Sequence, residues 1–279
     1  MFRKNLPNPS GPPACDCHFH VFNAGERTVE ARYAPVYASP LSAWEVAARK
    51  ADVTRGVVVQ PSFLGIDNRV LLTTLTLDRE HLRGVAVVGG SATEAELRHL
   101  HAMGVRGIRL NLIGVADDVG AIRDLPVTWW SALVAAELHL ELHSDIGRVS
   151  VLLPLIPLNM MVVLDHFARP QTASPADETV QAVCRRQRLG GITHVTLSGA
   201  YRRGVCAAPL QAKFSAELAA VWRDLLGRDF LLWGSDWPCT NYESAASYPR
   251  LRDSLDDWLP DANDRHAALH TNPQRLYWR

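Results

Sequence analysis

The segment Asp16-Cys17-His18-Phe19-His20 places a carboxylate and two imidazoles at alternate positions. In an extended strand, side chains two residues apart share a face. Asp16, His18 and His20 are therefore expected to point together, with Cys15, Cys17 and Phe19 turned away as packing groups. Two imidazoles so placed can bind one metal ion or polarise one carbonyl. Three later apolar runs end in residues of the same kind: Leu140-Glu141-Leu142-His143, Val163-Leu164-Asp165-His166 and Gly234-Ser235-Asp236-Trp237-Pro238. A lone strand-end histidine or aspartate is most often a satisfied structural residue. Four strands that each deliver one to a common rim form a candidate site.

Such a rim needs a particular set of elements beneath it. Short apolar or β-branched runs recur at Ala14–Phe22, Gly56–Ser62, Gly84–Gly89, Val105–Leu112, Leu138–Ser144, Met161–His166, His194–Ser198 and Phe230–Asp236. Their length and continuous apolar character suit parallel strands buried on both faces. Amphipathic helices are expected between them at Ser42–Asp52, Asn68–Glu80, Thr93–Met103, Val127–Glu137, Gly147–Leu158, Asp177–Leu189 and Ala212–Leu226. Thr93 followed by Glu96 reads as a capping box. Trp129-Trp130 reads as helix packing, and His81, His99, His101 and His139 as bystanders. Eight strand–helix units predict an α/β fold, a single-domain (β/α)8 TIM barrel over residues 14–279 behind an N-terminal arm at 1–13. An open doubly wound sheet is the competitor, but no Gly-rich dinucleotide fingerprint follows any strand. The irregular stretches Asn23–Pro40, Ala168–Ala176 and Ala200–Leu210 would overhang the C-terminal rim, where barrel enzymes keep their sites.

Composition narrows the partners. The chain of 279 residues carries 29 basic and 29 acidic side chains, with no basic block for a nucleic-acid backbone. Lys4, Lys50 and Lys213 are its only lysines, so the positive charge is largely arginine, whose planar fork suits a small carboxylate-bearing ligand. Five cysteines, an odd number, do not suggest a disulfide framework. No apolar run reaches the roughly 18 residues of a bilayer span. The expectation is a cytoplasmic protein with a small anionic partner and neither nucleic acid nor membrane. Self-association into a homo-oligomer stays open.

These residues carry a family resemblance. Asp16-x-His18-x-His20, His143, His166 and Asp236 resemble the amidohydrolase superfamily. Val58-Val59-Gln60-Pro61-Ser62, Gly104 to Asn111, Leu164 to Pro170, Leu197 to Arg202, Gly234 to Pro238 and Asn272 to Tyr277 are similar to its lactonase branch, which includes pyrone-dicarboxylate hydrolases and sugar-acid lactonases. The resemblance runs from about Asp16 to Tyr277 and implies a hydrolase that opens a lactone or pyrone ring. Ser62, Arg109 and Arg202 match positions that bind substrate in the pyrone-dicarboxylate enzymes. Arg109 and Asn111 stand where binuclear members place a bridging ligand, so a two-metal site is not expected. A further arginine of the pyrone enzymes has no counterpart, Val115 lying near its position. Those enzymes also lack the fifth-strand histidine and work without metal, whereas His143 restores a metal-capable set.

The chemistry implied is attack of water on an ester carbonyl. Asp236 is expected as general base, taking the proton of water and returning it to the leaving oxygen, with His166 beside it. One divalent ion, zinc before others, would sit on His18, His20, His143 and Asp236, with Asp16 supporting them from behind. Metal-free catalysis, with the imidazoles polarising the carbonyl, stays open. The alternative is a metal-dependent decarboxylase of the same superfamily.

Overall fold

The computed structural model describes residues 12–29, 31, 33–203, 208–244 and 247–279. Most of the expected arm, and Gly204 to Ala207 of the loop expected at Ala200–Leu210, lie outside them. Eight parallel strands follow one another around a single sheet: β1 Cys15–Phe19, β2 Arg55–Val59, β3 Leu82–Ala86, β4 Val105–Asn111, β5 His139–His143, β6 Val162–Leu164, β7 Thr193–Leu197 and β8 Leu231–Trp233. The helices between them are α1 Leu41–Arg49, α2 Arg69–Leu77, α3 Glu94–Ala102, α4 Asp118–Arg123, α5 Val127–Ala135, α6 Val149–Leu152, α7 Glu178–Arg188 and α8 Ala208–Leu226. This is the expected (β/α)8 barrel. Its seam closes just past β8, where Asp236 N–H donates to His18 O and His20 N–H donates to Trp237 O, both at 2.8 Å.

Local rules explain most element ends. Thr93 caps α3 with the expected box: Glu96 N–H donates to its hydroxyl at 3.3 Å and Thr93 N–H donates to Glu96 at 2.7 Å. The helix expected over Gly147–Leu158 stops at Leu152 and tightens into a 3-10 turn, because Pro154 has no N–H to continue it. Three later helices were not anticipated: α9 Tyr248–Trp258, α10 Ala262–His266 and α11 Asn272–Tyr277. They cover the seam and one barrel end, burying Tyr248, Trp258, Leu276 and Tyr277. Among the described residues, no helix is long and apolar enough to cross a membrane.

Alternation along the strands sorts side chains into two layers. Val58, Ile108, Leu140, Leu142, Val195, Leu197 and Trp233 face outward against α-helical residues such as Trp44, Leu71, Leu97 and Trp222. Each fully buried apolar side chain of this size contributes about 1.5–3 kcal/mol. Facing inward, Cys15, Cys17, Val57, Val59, Val85, Val163 and Leu232 meet Leu276 and Tyr277. That apolar plug fills one end of the barrel and leaves the other for polar chemistry.

Candidate active site

Strand β1 does not alternate as its spacing predicts. Asp16 pairs with Gly56 and Phe19 with Val58, so three steps on β1 oppose two on β2. This bulge puts Asp16 and Phe19 on the same outer side. Phe19 stacks on Trp44 at 4.1 Å, and Trp44 Nε1 donates to Asp16 at 2.9 Å. Asp16 also accepts from Ser235 N at 2.8 Å, Ser235 Oγ at 2.6 Å and Tyr248 OH at 2.9 Å. Asp16 is thus not on the histidine face but pins the seam behind it, one residue before Asp236. The cysteines, expected outside, face the barrel interior.

His18 and His20 do point inward, toward Asp236. His20 Nδ1 lies 2.8 Å from Val59 O, which fixes it as the donor and leaves Nε2 facing Asp236 Oδ1 at 3.5 Å. His18 Nε2 and His166 Nε2 each stand 3.9 Å from the same carboxylate, and His166 Nδ1 is 2.8 Å from Ser198 Oγ. His143 packs edge-on against His166, ring centres 4.6 Å apart, while Arg109 donates to its Nδ1 at 3.2 Å. Burial holds the pKa of His20 below its ordinary value and those of His143 and His166 well below it. All three are neutral near pH 7; His20 and His166 can turn a lone pair toward a ligand, while that of His143, on Nδ1, is taken by Arg109.

Asp236 itself is heavily held. Tyr201 OH donates to its Oδ2 at 2.7 Å, Arg202 Nε donates to the same oxygen, and Arg202 Nη2 reaches Oδ1 at 3.2 Å. Burial would raise the pKa of this carboxyl, but Arg202 and His166 outweigh it and hold it well below the usual range. Gly199 makes room here: a Cβ would come within 2.6 Å of His166 Nδ1 and 3.1 Å of Asp236 Oδ2.

A second polar layer lies beneath. Arg109 donates to Asp165 at 2.8 and 3.2 Å and stands 3.4 Å from Glu141, while His18 Nδ1 is 3.3 Å from Asp165. Burial opposes the charge on Asp165, yet His18 and Arg109 keep its pKa well below the usual range. Burial and Asp165 together push Glu141 up to about 8. Arg109 therefore carries an internal ion pair as well as bordering the open space.

That space is a cavity of about 300 Å³, bounded by His20, His143, His166, Asp236, Ser62, Arg109 and Arg202 among others. It lies at the small end of ligand sites. Arg169, Tyr33 and Tyr242 also line it and were not singled out by sequence reasoning. Glu141, Asp165 and Tyr201 were missed too. Glu141 could have been found, since it alternates with His139 and His143 on β5 and so shares their face.

With this geometry in view, comparison with known proteins is decisive. Residues 15–279 match the amidohydrolase family. The chain belongs to that family. It is 28% identical to a 2-pyrone-4,6-dicarboxylate hydrolase of Comamonas testosteroni, over 97% of this chain and 94% of that one. It is also 28% identical to a 4-sulfomuconolactone hydrolase of Rhizobium radiobacter, over 95% and 89%. A solved structure from Pseudomonas putida, provisionally assigned as a 2-pyrone-4,6-dicarboxylic acid hydrolase, superposes with TM-score 0.84 at 31% identity, over 95% of this chain and 97% of that one. A decarboxylase acting on 2,6-dihydroxybenzoate, at 13% identity and TM-score 0.64, shares the fold alone.

Members of this family often hold metal, and the donor atoms here are spaced to fit one ion. His18, His166 and Asp236 offer ligand atoms that all lie within 4.8 Å of one another. His143 groups instead with Asp165 and His166. The metal set expected from the sequence is His18, His20, His143 and Asp236, with His166 as a catalytic group; the ligand atoms instead gather His166 with His18 and Asp236, leaving His20 and His143 outside that group. Both ring nitrogens of His18 are buried without a hydrogen bond among the described residues, as the atoms of a ligand site would be.

Proposed function

We propose that this amidohydrolase opens the ring of a small lactone or pyrone bearing a carboxylate, with Asp236 as general base. The observation that carries the reading is the convergence of three imidazole Nε2 atoms on one ionised carboxylate, at 3.5–3.9 Å, in an arginine-lined cavity. Water adds to the acyl carbon while Asp236 takes its proton. The acyl–oxygen bond of the ring then breaks, and Asp236 returns the proton to the leaving oxygen. A carboxylate whose pKa is held this low is a weak base. The substrate must therefore leave easily, as the enol oxygen of a pyrone does, or the water must be acidified.

A bound divalent ion, zinc first, would supply that acidification and polarise the carbonyl. His18, His166 and Asp236 would hold it, with His20 beside them. Without it, the imidazoles of His20 and His166, held toward the neutral form by burial, orient the carbonyl and the arginines stabilise the negative charge that develops. Ser62, Arg109 and Arg202 supply donors to the polar groups of the substrate along the wall. The names of the relatives support a lactone or pyrone as the substrate class.

The test is a panel of lactones and pyrones, with and without ring carboxylates, assayed by acid release, alongside trapping of carbon dioxide. Acid release stoichiometric with ring opening is expected. Carbon dioxide without ring opening would replace this reading with a decarboxylase.

A further inference from the structure

At the end of the barrel opposite the catalytic cavity, three neighbouring strands each open on an arginine. Arg55 is the first residue of β2, Arg83 the second of β3 and Arg106 the second of β4, and Arg279, past α11, adds its charge to theirs. The three strand arginines are half-buried and Arg279 is exposed. Among the described residues, none of the four has a carboxylate within ion-pair distance. Elsewhere the chain pairs its surface arginines readily, as Arg69 with Asp67, Arg98 with Glu94 and Arg148 with Asp118. Glu80 and Glu137 are the acids that act on the cluster, and they do so through space rather than by contact.

Their hydrogen bonds all go to neutral oxygens. Arg83 Nε donates to Tyr277 O at 3.0 Å, and its Nη1 donates to Arg79 O and Leu82 O at 2.6 and 2.8 Å. Arg106 Nη1 donates to His101 O and Val105 O at 2.9 and 2.8 Å. Arg55 Nη1 donates to Gln274 Oε1, and Arg279 Nη2 to Glu137 O at 3.4 Å. The Nε atoms of Arg55 and Arg106 are buried with no acceptor among the described residues. These contacts fix the guanidiniums in place without neutralising them. Trp278 adds a scaffold: the guanidinium carbons of Arg55 and Arg83 lie 4.6 and 4.9 Å from its ring centre, and its Nε1 donates to Glu80 O at 2.8 Å. Burial, with Arg106 and Arg55 nearby, pulls the Arg83 pKa down to about 10, and burial with Arg279 lowers that of Arg106. Like charges held together in this way repel, and a bound anion relieves the repulsion.

We propose that the arginine cluster at the N-terminal mouth of the barrel is a second ligand site, and that it binds linked phosphates, either free pyrophosphate or the diphosphate of a nucleotide. Adjacent strands lie about 4.8 Å apart, so the guanidiniums of β2, β3 and β4 form a short row rather than a single fork. One carboxylate matches one fork, whereas linked phosphates carry several charged oxygens along such a row. Leu276 and Tyr277 close the barrel between this row and the catalytic end, so the site is separate from the cavity around Asp236. Its occupant also bears on stability, because Arg55 and Arg83 tie β2 and β3 to α11 through Gln274 and Tyr277.

The test is direct binding, independent of turnover. Pyrophosphate, ADP and acetate are titrated calorimetrically into the full-length parent, Arg83→Met, Arg279→Glu and Arg202→Met, with the melting temperature of each recorded. The parent is expected to bind pyrophosphate, to melt at a higher temperature in its presence, and to bind acetate at least about tenfold more weakly. Arg83→Met is expected to bind pyrophosphate about ten- to a hundredfold more weakly. Arg279→Glu, whose exposed side chain makes one long hydrogen bond, keeps the fold and decides the matter should Arg83→Met fail to fold; a loss of about tenfold is expected. Arg202→Met, at the catalytic end, is expected to bind pyrophosphate as the parent does. ADP bound at least as tightly as pyrophosphate identifies a nucleotide as the ligand, and weaker binding of ADP identifies the free diphosphate. The proposal is overturned if the parent binds no pyrophosphate, if acetate binds equally well, or if Arg279→Glu binds pyrophosphate as the parent does. A loss confined to Arg202→Met overturns it too, by assigning the anion to the catalytic cavity.

Discussion

Arg202 lies across the carboxylate of Asp236, donating from Nη2 to Oδ1 at 3.2 Å and from Nε to Oδ2. The pair keeps Asp236 ionised inside a buried site, so the base is ready at any pH near neutrality but weak.

Replacement of Asp236 by asparagine tests its role. Asp236→Asn keeps the shape but cannot take a proton, so kcat is expected to fall by about 10²–10⁴-fold while KM stays within a few-fold. Metal content measured on the same sample separates loss of the base from loss of a ligand. Turnover within tenfold of the parent would pass the role of base to His166.

Arg109 should matter for folding as much as for binding. Arg109→Met leaves the ionised Asp165 without its cation in the barrel interior, a loss of about 3–5 kcal/mol for a broken buried pair. Chemical denaturation of parent and variant measures this. A loss below about 1 kcal/mol would mean that Arg109 is not the structural partner its 2.8 Å bond to Asp165 implies.

Glu141 should give stability a pH dependence of definite sign. Burial and Asp165 raise its pKa from the ordinary 4.5 to about 8. Between those values the folded chain holds a proton that the unfolded chain has released. The stabilisation is therefore full below about pH 4.5 and is lost as pH rises toward about 8. In chelator-treated protein, Glu141→Gln should gain stability relative to the parent across that window. Parallel melting curves from pH 5 to 8 would refute the assignment (roughly the span over which linkage acts).

Metal content should follow the grouping of ligand atoms rather than the order of histidines along the chain. His18→Ala and His166→Ala are expected to lose bound zinc, and His143→Ala to retain most of it, when measured by elemental analysis after loading. Equal loss in all three would place His143 in the coordination shell.

Much of this protein was legible before folding. The barrel follows from eight apolar runs spaced by amphipathic helices, since only parallel strands covered on both faces suit such runs. Asp236, His18, His20, His143 and His166 were legible because strand ends of a closed barrel share one rim. Other features depended on contacts between distant segments. The bulge between Asp16 and Phe19 exists because Phe19 and Trp44 pack over Gly56, where a Cβ would come within 2.6 Å of both rings. No period-two pattern in β1 could announce that, so Asp16 was assigned to the wrong face. The pairing of Arg109 with Asp165 and of Arg202 with Asp236 was likewise hidden. A sequence gives the number of charges, but which of them are neutralised depends on which strand ends meet across the barrel.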